Sequence, residues 1–190
     1  RWSLHTYCTM VSRTTSRQAE ITAVLTADQE HDLYQISSHG TTCALCAPYE
    51  GRVYSRSGTD PDFPPLASAF GKVDENGPDT LANTWLNIHP SCWHVLLPWT
   101  PAGRTPEEIQ KIKDFSNPTK NPFSVDPRSK KQIEAYRKKE VARRHWLENY
   151  RQWERYRMTL GDNVPKTFQT FERHKMADDE KYREWQKAYR

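Results

Sequence analysis

The sequence predicts an α+β fold: a small zinc-stapled module with short strands and an N-terminal helix, followed by long C-terminal helices. Three observations carry this. Leu4, Tyr7, Val11, Ile21, Val24 and Leu25 recur near helical spacing. An alternating run, 32–37, and a turn with a second short strand, 50–55, frame a Cys-x-x-Cys motif. Beyond residue 126 the chain is charged, aromatic at three- and four-residue steps, and interrupted by a single glycine, Gly161.

Residues 1–28 read as helix, either continuous or broken at Ser12–Ser16, where hydroxyl side chains compete for backbone hydrogen bonds. Cys8, remote from the other cysteines, reads as a small buried hydrophobe. Asp32–Ser37 reads as a strand and Glu50–Ser55 as a turn and second strand, which puts Cys43 and Cys46 in their connection. Residues 56–83 are turn-rich, with one helical turn at Leu66–Phe70 and a tight turn at Asn76-Gly77-Pro78. Val95–Pro98 leaves the second ligand cluster as a short strand. Thr105-Pro106-Glu107-Glu108 is a capping box with proline in the first turn, and its helix runs to about Phe115. Asn117–Pro127 is proline-interrupted. Asp126-Pro127 starts a helix from Arg128 to Leu160, ending at Gly161, and a last helix covers Pro165–Tyr189. Trp146, Tyr150, Trp153 and Leu160 share a face of the long helix, but Arg143 and Lys139 continue that stripe, so the helix has more length than its own core can cover. The domains expected are 1–100, a zinc-binding α+β domain; 101–125, a helix and linker; and 126–190, a basic aromatic helical hairpin or extended helices.

The chain is polar, 27% charged and 35% hydrophobic, yet 12% aromatic, which argues against full disorder. No run approaches ~20 apolar residues, so no transmembrane helix is expected. No segment has the pattern of a signal peptide. The chain opens on Arg1, which reads as a fragment or a processed product. Residues 1–125 carry 10 Lys+Arg against 13 Asp+Glu, and residues 126–190 carry 18 against 11. The basic excess therefore belongs to the C-terminal third, as a solvated helix surface or a nucleic-acid contact.

Cys43-x-x-Cys46 and His89-x-x-Cys92-x-His94 supply five soft donors. Structural zinc is tetrahedral and takes thiolate and imidazole ligands from paired short motifs. Cys43, Cys46 and Cys92 are expected ligands, with His94 or His89 as the fourth. His39 reads as an outer hydrogen-bond donor or turn residue. A redox or structural disulfide competes, but no thioredoxin-like pattern surrounds the motif, and a bridge from Cys92 would strand one thiol. A closed structural site is the simpler reading than a catalytic one, although Glu50 and Asp60 are near in sequence. No Ser-His-Asp order, phosphate loop or dinucleotide fingerprint is present.

The order of motifs resembles a known family. Arg1-Trp2-Ser3-Leu4-x-x-Tyr7-x-x-Met10-Val11-x-Arg13-Thr14-Thr15 is followed by Ser37-Ser38-His39-Gly40, then by Cys43-x-x-Cys46-Ala47-Pro48-x-x-Gly51-x-Val53-Tyr54-Ser55-x-Ser57-Gly58, and then by His89-Pro90-x-Cys92-x-His94 and Pro98. Over about residues 1–100 this is similar to the phage minor capsid protein 2 family, related to the Mu-type head-morphogenesis minor capsid proteins. The family's last motif has Arg where this chain has Trp93, which removes a basic contact. The resemblance implies a non-enzymatic virion protein of a tailed phage or prophage, inside the head near the portal, supporting head assembly and DNA packaging or ejection. It implies the portal and major capsid proteins as partners, host cytoplasm as the site of assembly, and an N-terminal helical region missing from this sequence. The basic helices are expected to touch the portal, the shell, another copy or packaged DNA. Two other readings stand beside it: a metal-dependent nuclease or effector domain fused to a head protein, and a DNA-binding module outside any virion.

Overall fold

The computed structural model describes residues 3–190 and divides into two compact units, one running to Gln132 and the other spanning Ile133–Arg190. Arg1 and Trp2, which open the first family motif, lie outside the described residues.

Helix α1, Leu4–Ala27, is unbroken. Ser3 caps it by accepting from the Thr6 N–H at 3.2 Å. The Ser/Thr run does not break the helix, because Thr9, Thr14 and Thr22 donate their hydroxyls back to the carbonyls four residues earlier, at 2.8–2.9 Å. Its C-terminal half buries Ile21 and Leu25. Cys8 is exposed, against the expectation of a buried hydrophobe. Tyr7 and Val11 beside it are also exposed, so this part of α1 meets no core that could cover it.

Three short strands form one antiparallel sheet in the order β2-β1-β3: β1 Leu33–Ile36, β2 Val53–Ser55 and β3 Leu96–Pro98. Tyr34 pairs with Tyr54 on one side and Pro98 on the other. A proline is tolerated because β3 is an edge strand. Tyr34, Ile36, Tyr54, Leu66, Phe70 and Leu96 join Ile21 and Leu25 in the core. Each fully buried side chain of this size stabilises by roughly 1.5–3 kcal/mol. Asp32 fastens the next turn: its carboxylate accepts from Ser55 Oγ and the Ser57 N–H, both at 2.7 Å.

Helix α2, Pro106–Ser116, carries the full capping box of Thr105 and Glu108. It is tied to β2 where Ser116 Oγ accepts from the Val53 N–H at 3.0 Å. The proline-interrupted segment after it also belongs to this unit. Phe123 stacks on Tyr49, and Asn121 O accepts from buried Arg52 Nη1 at 2.7 Å.

Helix α3, Lys130–Leu160, starts two residues later than the Asp126-Pro127 signal suggested. The cap is Ser129, whose hydroxyl accepts from the Gln132 N–H while Gln132 Oε1 accepts from the Ser129 N–H. Asp126 instead pairs with Arg128 at 2.7 Å. At 31 residues α3 is ~46 Å long, yet Tyr156 is its one buried residue. Gly161, at φ +58, ends it in the left-handed conformation that glycine adopts without strain.

The expected single last helix is two: α4, Phe168–Ala177, and α5, Glu180–Tyr189. Asp178 takes φ +46, and Asp179 then caps α5 by accepting from the Tyr182 N–H. Two consecutive aspartates supply both a tolerated left-handed residue and an N-cap, which outweighs the helical periodicity around them. Tyr156, Val164, Phe171, Tyr182 and Trp185 form the second unit's core. No helix among the described residues is long and apolar enough to cross a membrane.

Candidate metal centre

Two arms bring the soft donors together. The first follows β1. The Ala47 N–H donates to Cys43 O, and the Tyr49 and Glu50 N–H groups donate to Cys46 O, winding 43–50 into tight turns. Gly51 (φ +75) closes the arm with its N–H on Ile36 O. A Cβ there would lie 2.8 Å from Ser38 Oγ. The second arm precedes β3. The Cys92 N–H donates to His89 O, and Ser91, at φ +61, donates its N–H to Thr14 Oγ1 of α1 at 3.0 Å. Ser37 and Val95 join the arms through two hydrogen bonds, Ser37 N–H to Val95 O and Val95 N–H to Ser37 Oγ.

All five predicted donors lie in one neighbourhood. They form two groups of three that share Cys46, Cys43–Cys46–His89 and Cys46–Cys92–His94, and within each group the ligand atoms lie within 4.8 Å of one another. Among the described residues, no group within that distance holds Cys43 or His89 together with Cys92 or His94. Cys43 Sγ is 3.2 Å from His89 Nε2, Cys46 Sγ is 3.7 Å from Cys92 Sγ, and Cys92 Sγ is 3.4 Å from His94 Nδ1. Cys46, Cys92 and His94 are buried, whereas Cys43 and His89 are half-buried. The four cysteines are free thiols.

The charges within this cluster are strongly coupled. A hydrogen bond from Cys46 holds the Cys43 thiol down to about 3, with His89 adding to the effect and burial opposing it. Hydrogen bonding from Cys46 likewise lowers Cys92 to about 4, helped by His94. Cys46 is pushed up, because its one S–H is shared between the sulfurs of Cys43 and Cys92 and because it is buried. Cys43 raises His89 to about 9, against burial. Burial opposes protonation of His94, but Cys92 and Glu50 together raise it. The cluster thus gathers anionic sulfur and imidazole in a largely dry space, where a divalent cation would neutralise what the protons now balance.

The donor set fits zinc. A tetrahedron with Zn–S near 2.3 Å has sulfur–sulfur edges of ~3.8 Å, close to the 3.7 Å between Cys46 and Cys92. Each histidine turns its other ring nitrogen to an acceptor: His89 Nδ1 to Pro90 O at 2.7 Å, and His94 Nε2 to Glu50 Oε2 at 2.9 Å. Such outer partners fix the tautomer that leaves the inner nitrogen open for a metal.

His39 belongs to neither group of three. It is exposed, its ring meets that of His94 edge-on at 4.4 Å, and its N–H donates to Glu50 Oε2 at 3.2 Å. Sequence reasoning missed the contact of Glu50 with His94, since no motif spacing links positions 50 and 94. Asp60 is taken up by its own turn, accepting from the Asp62 and Phe63 N–H groups. Exposed Trp93 has the guanidinium of Arg13 5.9 Å from its ring, so a cation from α1 stands beside it.

The family model described as phage minor capsid protein 2 matches residues 1–158. No curated protein and no solved structure matches the chain.

Proposed function

The chain belongs to the phage minor capsid protein 2 family and is a structural protein of a phage head; on that premise we propose that it sits inside the head near the portal and supports head assembly and DNA packaging or ejection. The match over residues 1–158 carries this reading, because it spans both arms of the cysteine–histidine cluster and nearly all of α3. The portal and major capsid proteins are the partners, assembly takes place in the host cytoplasm, and self-association is a further contact. The division of labour follows the expected segments: 1–100 as the zinc-binding domain, 101–125 as a tie, and 126–190 as the contact region.

In this reading the zinc is structural, held by Cys43, Cys46 and Cys92 with one histidine, and closes the long loop between Cys46 and His89. A bound metal adds its binding free energy to folding. Glu50 Oε2 already accepts from two groups and is not a spare base, so the site favours a clasp over the nuclease alternative. Contact with packaged DNA is supported by charge. Residues 133–190 carry 15 Lys+Arg against 10 Asp+Glu, and Arg137, Arg144 and Arg155 are exposed on α3. Cross-linking of purified, nuclease-treated virions, read by mass spectrometry, tests the placement. Links from residues 126–190 to the portal protein are expected, and absence of the chain from filled heads would overturn it.

A further inference from the structure

Five donors converge where a tetrahedral ion takes four. We infer that His94, through Nδ1, is the fourth ligand beside Cys43, Cys46 and Cys92, that Glu50 is the positioning residue that aims it, and that His89 stays outside the coordination sphere. This rests on the metal reading proposed above and adds the identity of the ligand and of the residue behind it.

The two histidines differ in what stands behind them. His94 Nε2 faces a carboxylate, Glu50 Oε2, at 2.9 Å, and the side chains of the pair are only 8% and 17% exposed. A carboxylate there holds the imidazole proton on Nε2, leaves the Nδ1 lone pair toward Cys92, and raises the basicity of the ring as a donor. Glu50 is itself held. Its Oε2 also accepts from the His39 N–H, the His39 ring abuts the His94 ring, and His39 Nε2 lies 3.1 Å from Ser37 Oγ. Ser37 in turn accepts from the Val95 N–H, one residue beyond His94. The His94 ring therefore sits in a closed loop of contacts that runs from its own segment before β3 back to itself, and its orientation is set before any ion arrives.

His89 lacks such support. Its Nδ1 meets only the carbonyl of the next residue, Pro90, and its ring is half-buried. Its Nε2 lies 3.2 Å from Cys43 Sγ. As an imidazolium, His89 would donate from Nδ1 to Pro90 O and from Nε2 to a metal-bound thiolate, an outer role that needs no place on the ion. Cys46, Cys92 and His94 form the group of three that is buried throughout.

The test uses the full chain loaded with cadmium-113 and labelled with nitrogen-15 in histidine. Scalar coupling from the metal to the His94 ring, with none to His89, is expected and needs no substitution. Cobalt titration then compares Glu50→Gln, His94→Ala and His89→Ala. Glu50→Gln weakens cobalt binding about 10–100-fold and shifts the ligand-field bands, while the sulfur charge-transfer bands keep the intensity of three thiolates. His94→Ala weakens binding further, and His89→Ala changes the ligand-field bands little. Coupling to His89, or an unchanged cobalt spectrum in Glu50→Gln, overturns the assignment. A wild-type chain that takes up neither cadmium nor cobalt overturns the metal reading itself.

Discussion

Arg52 donates from Nη1 to Asn121 O at 2.7 Å, which ties the start of β2 to the segment that follows α2. Its guanidinium also lies 5.5 Å from the Phe115 ring and 4.8 Å from that of Phe123, and the residue is 2% exposed. The Arg52→Met variant loses the carbonyl contact and both ring contacts. It should destabilise by about 2–4 kcal/mol, read by urea unfolding, and should speed tryptic cleavage at Lys120. Arg52→Lys should rescue less than half of this, since an ammonium cannot stack flat between two rings.

Removing the metal should loosen the first unit. A purified chain is expected to carry one zinc, and a strong chelator should lower its melting temperature and expose the Cys46–His89 loop to proteolysis. Cys46→Ser should mimic the chelator, because that sulfur belongs to both donor groups. A melting temperature that is indifferent to chelation would contradict the staple.

The basic face of the second unit should bind duplex DNA with steep salt dependence. Charge reversal at Arg137, Arg144 and Arg155 should weaken binding without sequence preference. Each lost phosphate contact should reduce the slope of log K against log salt by about 0.9. Filter binding at several salt concentrations measures this, and a wild-type chain with no salt-sensitive affinity would remove DNA from the list of partners.

Asp178 holds φ +46 between α4 and α5. Asp178→Gly should stabilise by about 0.5–1 kcal/mol, since its exposed pair with Arg183 contributes little. Asp178→Val should destabilise by more than this gain, as a β-branched residue pays most for a left-handed backbone. Thermal melts of the two variants should move in opposite directions.

Burial opposes ionisation of Asp32, but hydrogen bonds from Ser55 and Ser57 outweigh it and hold the carboxyl below its ordinary value of 3.8. A depressed folded value means that the stabilisation is present above pH 3.8 and is lost as pH falls through the folded value. Asp32→Asn should cost about 1 kcal/mol at neutral pH. It should also flatten the acid limb of the stability curve measured by denaturant titration.

Helices α1 and α2, the strands and the short motifs whose cysteines and histidines could hold a metal were legible because each rests on a local signal. These are periodicity along α1, the Thr105 capping box, alternation around Tyr34, the turn before Val53–Ser55, and the two short cysteine motifs. Legibility failed where local signals compete. Asp178-Asp179 overrode a helical stripe, and Ser129 took the cap from Asp126. Cys8 shares the helical stripe of Leu4 and Val11, but the N-terminal part of α1 where all three lie is exposed.

The sequence by itself determined the α+β class, the family resemblance and which five side chains could face a metal, because donor chemistry and short-range spacing are written in the order of residues. Only the tertiary structure decided that Glu50 backs His94, that Thr14 of α1 grips Ser91, and that Arg52 binds Asn121. These pairs are 44, 77 and 69 residues apart. No periodicity reaches so far; their meeting is set by how α1, the three strands and the loops pack around one small core.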